Sequence, residues 1–247
     1  MTSLPVLSFD RITKSFDGAI ILDNLSFLIP ENKIVGLIGA NGAGKTTSLR
    51  HIIRYYVPDD GTIFYRSKDI YKLPDDSFPV AYIPDTPVFY EELTVREHLS
   101  FLGAAYQTSR FIEELIDMYE MNPHLNKVPS ILSRGTKQKL MIMCALLHTY
   151  DILIADEPFT GLDPIQIKVF RDNLLRIKDE GKTIVLSTHL LNMIESICDY
   201  YVMIDHGKLV GQGKLSDFIQ ADGEFPTFES LYLHLSQQVG ENIESGE

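Results

Sequence analysis

The chain has 247 residues, enough for one large domain with a sub-domain and a full buried core. Its 34 acidic and 22 basic residues give a formal net charge of −12, which argues against general nucleic-acid binding, since that needs basic patches to displace counterions. No apolar run approaches the roughly 18 residues of a membrane span, Asp10, Arg11 and Lys14 break up any signal-peptide pattern, and Cys144 and Cys198 read as reduced core thiols of a cytosolic protein.

In chain order, Val6 to Ile12 reads as a strand and Leu25 to Ile29 as another, ending at Pro30. Between them Lys14-Ser15-Phe16-Asp17-Gly18 reads as a turn carrying an exposed-looking aromatic. Ile34, Val35, Leu37 and Ile38 form an apolar, β-branched run expected to be a buried strand. Directly after it, Gly39, Ala40, Asn41, Gly42, Ala43, Gly44, Lys45, Thr46 and Thr47 fit the phosphate-cradling pattern G-x-x-x-x-G-K-[ST]. Ser48 to Tyr56 lacks Gly and Pro and predicts a helix that stops before Pro58. The loop thus lies between strand and helix, the setting its chemistry needs. Glycines let backbone N–H groups approach phosphate oxygens, and the helix N-terminus adds partial positive charge. Lys45 is placed to reach the β- and γ-phosphates, and the Thr46 hydroxyl to ligate Mg²⁺. A plain glycine-rich turn is the alternative, and the strand–loop–helix context argues against it.

Thr62 to Tyr65 follows the turn Pro58-Asp59-Asp60-Gly61 and reads as a strand, and Val80 to Ile83 reads as another, ending at Pro84-Asp85-Thr86-Pro87, where the prolines require a loop. The period then changes. Thr94-Val95-Arg96-Glu97 is a capping box for a helix to about Gln107, Ile112, Leu115, Ile116 and Tyr119 mark a second helix, and Leu140, Met143, Cys144 and Leu147 a third. Residues 88–148 therefore look like a helical sub-domain inserted into an α/β core. Ile152 to Ala155 restores a buried strand, Asp163-Pro164 and Gly181 bracket a helix, Thr183 to Leu186 is a strand, Leu190 to Ile197 a helix, and Asp205-His206-Gly207 a hairpin turn. The tail from Gln237 is polar and acidic.

The strand Ile152–Ala155 delivers Asp156 and Glu157 at its C-terminal edge, where open α/β sheets bind ligands. Asp156 suits Mg²⁺, and Glu157 suits a base that activates water. A lone histidine such as His189 is more often a satisfied surface residue, but its position after a parallel strand moves it toward a γ-phosphate. Ser133 is a natural N-cap, and its segment Ile131–Gln138 reads either as that alone or as a second phosphate site from another subunit.

These motifs resemble, in order, those of ATP-binding cassette (ABC) ATPases: the P-loop, a loop at Asp85, Leu132-Ser133-x-Gly135, Asp156-Glu157 with Gly161-Leu162-Asp163-Pro164, and His189. The resemblance runs from about Val6 to Gly213. It implies an α/β fold with a P-loop NTPase (RecA-like) core, an N-terminal antiparallel β subdomain and the inserted α-helical subdomain. The cassette would cover 4–235, with 1–87 and 149–235 as core and 88–148 as the helical part, leaving an acidic tail at 236–247. The resemblance further implies ATP and Mg²⁺ as cofactors, the metal held by Thr46, Asp156 and Asp85. It implies a head-to-tail dimer in which Ser133 and Gly135 of one copy contact ATP on the P-loop of the other. Phe16 lies where the family puts an adenine-stacking aromatic; taken alone it reads equally well as core. Two departures stand out: Asp85 replaces the usual Gln, and Arg134 and Thr136 replace Gly and Gln of Leu-Ser-Gly-Gly-Gln. The runs Tyr82–Thr94 and Met141–Ala145 are most similar to ATPase subunits of Ecs-type exporters of Gram-positive bacteria. That likeness implies export, with short peptides as one candidate cargo, an integral membrane permease and a like ATPase as partners, no nucleic acid, and a peripheral place on the cytoplasmic face of a bacterial cell membrane. A soluble ABC ATPase acting as scaffold, repair or translation factor is the alternative. A GTPase is disfavoured because Asn32-Lys33 is followed by Ile34-Val35 rather than x-Asp, and a kinase leaves Ser133 and His189 unexplained.

Overall fold

The computed structural model describes residues 5–188, 191–222, 230–232 and 234–235. His189 and the tail from 236 lie outside them. The chain divides into two compact units, Met1–Phe78 with Thr183–Glu247, and Pro79–Lys182.

The first unit opens with β1 (Pro5–Phe16) and β2 (Ala19–Pro30), a long antiparallel hairpin in which Phe9 faces Phe27, their rings stacked at 4.1 Å. Lys14 to Phe16 is therefore strand rather than turn. The reversal needs only Asp17 and Gly18, both at positive φ (50° and 82°), the two-residue geometry that matches strand twist. Next come β3 (Ile34–Ile38), every residue of it buried, and helix α1 (Lys45–Ile52). This helix starts earlier and ends earlier than the expected 48–56. Gly44 is already its N-cap, and Arg54 turns left-handed at φ 60° while the Tyr55 N–H closes onto Arg50 O at 2.9 Å. Strands β4 (Asp60–Tyr65) and β5 (Lys68–Asp69) complete an antiparallel sheet in the order β2-β1-β4-β5.

The second unit holds β6 (Val80–Ile83), α2 (Val95–Ala105), α3 (Ile112–Met118), α4 (Arg134–Leu146), β7 (Ile152–Asp156) and α5 (Pro164–Asp179). Between 88 and 148 every regular element among the described residues is a helix. In this unit α2, α4 and α5 each start at a side-chain cap. Thr94 Oγ1 accepts from Glu97 N (3.3 Å) while the Glu97 carboxylate accepts from Thr94 N (2.7 Å), Ser133 Oγ accepts from Thr136 N (3.2 Å), and Asp163 accepts from Gln166 N (2.9 Å). β6 and β7 are parallel, Ile83 opposite Ala155, so the loop bearing Asp85 and the pair Asp156-Glu157 leave the same edge.

The chain returns to the first unit with β8 (Thr183–Ser187), α6 (Leu191–Ile197), β9 (Tyr200–Asp205), β10 (Lys208–Gly213) and α7 (Leu215–Asp222). β3 runs parallel to both β8 and β9, and β9 pairs antiparallel with β10. Buried Ile34, Val35, Leu37, Val185, Leu186 and Val202 make this sheet apolar on both faces, as parallel strands require. No helix among the described residues is long and apolar enough to cross a membrane.

Candidate functional site

In the first unit the loop Gly39–Gly44 leaves the edge of β3 and runs straight into α1, so the first amides of that helix face whatever the loop encloses. Gly44 has φ 104°, and a Cβ on it would lie 2.7 Å from Leu22 Cδ2 and 3.2 Å from Ile21 O. No other residue type fits there. Asn41 and Gly42 are exposed, and Gly42 has nothing within 4 Å of where its Cβ would be, so the mouth of the loop is open. Lys45 is buried, 7% exposed, and its Nζ donates to Gly39 O (2.7 Å) and Ala40 O (3.1 Å). Ala43 is buried, its carbonyl accepting from Gly207 N at 3.0 Å. Thr46 and Thr47 are half-buried, and the Thr47 carbonyl lies 2.7 Å from Nδ1 of His51. Burial pulls His51 below the usual histidine range, so the ring beneath the loop is neutral at physiological pH. Phe16 is half-buried at the end of β1, edge-on to Tyr56 at 4.9 Å, with Lys14 Nζ 5.5 Å from its ring and fixed to Asp59 at 2.8 Å.

In the second unit Asp156 ends β7 fully buried, while Glu157 is half-buried at φ 47°. A left-handed non-glycine residue costs about 1–2 kcal/mol. Here it turns the chain at once, with Thr160 N donating to Glu157 O at 3.1 Å. Two adjacent carboxylates thereby end in different surroundings, one enclosed and one partly in water. Ser133 is exposed and spends its hydroxyl on the Thr136 cap. Gly135 lies against Gly161, and a Cβ on Gly135 would come within 2.6 Å of Gly161 O. The start of α4 is thus pressed onto the loop that follows Glu157. Arg134 lays its side chain over Gly161. Asp85 is exposed, its carboxylate accepting from Thr86 N at 2.8 Å. Cys144 and Cys198 are half-buried free thiols, and burial pushes Cys144 up to about 12, which makes it inert.

Two residues escaped the reading of the sequence. Gln138 is 2% exposed and donates from Nε2 to Pro158 O at 3.1 Å, tying α4 to the loop after Glu157. A polar residue on the buried face of a helix is the signal that points to it. Tyr232 accepts a hydrogen bond from Ala40 N at 2.9 Å, and no local pattern announces a contact across 192 positions.

The ABC transporter family model matches residues 22–160. The ATP-binding protein EcsA of an ABC-type transporter of Bacillus subtilis is 37% identical over 242 residues, covering 95% of this chain and 98% of that protein. The Nod factor export ATP-binding protein I of Paraburkholderia xenovorans is 32% identical, covering 87% and 73%. A solved ATP-binding subunit of an ABC transporter superposes with a TM-score of 0.86 at 34% identity, covering 94% of this chain and 99% of that one.

Proposed function

The chain belongs to the ABC transporter family, as an ATP-binding subunit with the P-loop NTPase fold and ATPase activity; from that premise we propose that two copies, or this chain and a like ATPase, close on ATP and reopen on hydrolysis to power a membrane permease. The observation that carries this reading is the P-loop itself: Lys45 Nζ stands 2.7 Å from Gly39 O in a loop whose Gly44 admits no side chain.

In this reading the amides of the loop and Lys45 bind the β- and γ-phosphates, and Phe16 stacks on adenine. Mg²⁺ takes one or two carboxylates and completes its shell with phosphate oxygens and water, and Asp156, fully buried at the end of β7, is a carboxylate of that kind. Thr46, Asp156 and Asp85 are the hard oxygen donors for it, and when bound it neutralises charge on the phosphate oxygens. Glu157 takes the proton of the attacking water, and His189 is the candidate sensor of the γ-phosphate. Ser133 and Gly135 reach the nucleotide of the opposite copy. ATP drives closure because the closed pair binds it more tightly than the open one.

For the permease, the helical stretch 88–148 carries a groove of about 420 Å³ lined by Val88, Tyr90, His98, Leu102 and Met141. Val88 is 77% and Tyr90 61% exposed, so a wet apolar surface waits there for a helix. Export as the direction rests on the export protein among the relatives and on the likeness to Ecs-type exporters. The place of work is then the cytoplasmic face of the membrane, with 4–235 as the working cassette and 236–247 as its tail.

Glu157→Gln tests the scheme. The variant is expected to bind ATP with unchanged affinity, to lose roughly 10²- to 10⁴-fold in kcat, and to accumulate as a dimer with ATP and Mg²⁺ in size-exclusion chromatography with light scattering. In cell lysates it should sediment with membranes. A monomer at saturating ATP and Mg²⁺ refutes the dimer mechanism, and sedimentation with ribosomes instead of membranes refutes the transport role.

A further inference from the structure

The contact between Tyr232 and the P-loop runs through a single peptide group. Ala40 N–H donates to the Tyr232 hydroxyl at 2.9 Å, and the carbonyl of that same peptide unit, Gly39 O, accepts from Lys45 Nζ at 2.7 Å. One planar amide thus joins the lysine ammonium to a phenol oxygen 192 residues farther along the chain. Hydrogen bonds at both ends of an amide polarise each other and hold the plane against rotation. Rotating it would swing the Gly39 carbonyl away from Lys45. The phenol is itself well anchored: Tyr232 is 9% exposed, and Leu231 and Leu235 beside it are buried. Ala40, by contrast, is exposed, so without the tyrosine its N–H would face water.

We propose that Tyr232 is a positioning residue for nucleotide binding: its hydroxyl fixes the Gly39–Ala40 peptide plane, so that the loop meets the triphosphate with Lys45 already in place. The proposal rests on the ATP-binding role of this loop. The P-loop pattern leaves position 40 open, so nothing in the motif asks for this bond. The competing role for the same contact is simple anchoring of the C-terminal segment. The two roles separate because anchoring is a matter of ring packing, while positioning is a matter of the hydroxyl.

Tyr232→Phe keeps the ring and deletes the hydroxyl. In titration calorimetry on the full chain, the Kd for ATP and for ADP should rise by roughly three- to tenfold, the loss of one net hydrogen bond. KM for ATP should rise by the same factor, with kcat at saturating ATP unchanged and the melting midpoint of the nucleotide-free chain lowered by no more than the loss of one hydrogen bond allows. A variant that binds ATP as the parent does, or that loses melting temperature at constant Kd, overturns the proposal. A parent chain that binds no ATP at all overturns the nucleotide role first, so the two failures are distinct. Should the variant not fold, amide hydrogen exchange in the parent chain decides: the Ala40 N–H should be protected although the residue is exposed, and exchange at the rate of a free loop amide overturns the proposal.

Discussion

Two loops follow two buried strands in this molecule, and they solve opposite problems. The loop after β3 receives negative charge, and does so with backbone: an open mouth, the start of a helix, and Lys45 held by two loop carbonyls. The loop after β7 supplies negative charge, and does so with side chains: Asp156 enclosed, Glu157 half-exposed on a left-handed turn, and Gln138 and Gly135 of α4 bracing the chain that follows. A backbone anion site is defined by conformation, so a single methyl group can destroy it. A carboxylate site is defined by which side chain stands where, so it depends on packing from a distant helix.

That contrast makes the two loops separable by mutation. The largest effect belongs to Gly44→Ala. With φ at 104° and Ile21 O 3.2 Å from the new Cβ, the strain is about 2–3 kcal/mol. The loop relieves it by leaving its phosphate-binding shape, so ATP affinity should fall roughly 30- to 150-fold in equilibrium titration. Unchanged affinity would mean that the conformation of this loop does not govern binding. Gly135→Ala should act differently. Its Cβ would meet Gly161 O at 2.6 Å, an overpacking cost of about 1–3 kcal/mol, read as a lower melting temperature and slower hydrolysis with the ATP Kd of the isolated chain intact. A parallel loss of ATP affinity would blur the division between the two loops. The smallest effect is expected from Gln138→Met, which keeps volume and removes the bond to Pro158 O. It should cost about 1 kcal/mol and lower kcat a few-fold at constant KM, and a change in KM alone would show that this brace serves binding instead.

Much of this was legible in the residue string because it is local. The strand before the P-loop, the caps at Thr94, Ser133 and Asp163 and the hairpin at His206-Gly207 each follow from a few neighbouring residues, and β3 and β6 appear at the expected bounds. The errors were local too. Asp17-Gly18 is a two-residue turn signal that was read too broadly, and Arg54, a residue with no turn preference, ends α1 by adopting a conformation that its neighbours impose.

The sequence by itself determined the nucleotide chemistry of this chain, because a P-loop is built from contiguous residues whose conformations are dictated by glycine and by the start of a helix. It also determined that an Asp-Glu pair would end a buried strand. Only the tertiary structure decided that Glu157 takes a left-handed turn, that Gly135 must be glycine because Gly161 O lies against it, and that Tyr232 closes a hydrogen bond on the Gly39–Ala40 peptide. These are contacts through space between segments 26 to 192 residues apart, and no periodicity or spacing encodes them, because they arise only when packing brings one backbone amide or carbonyl to another's side.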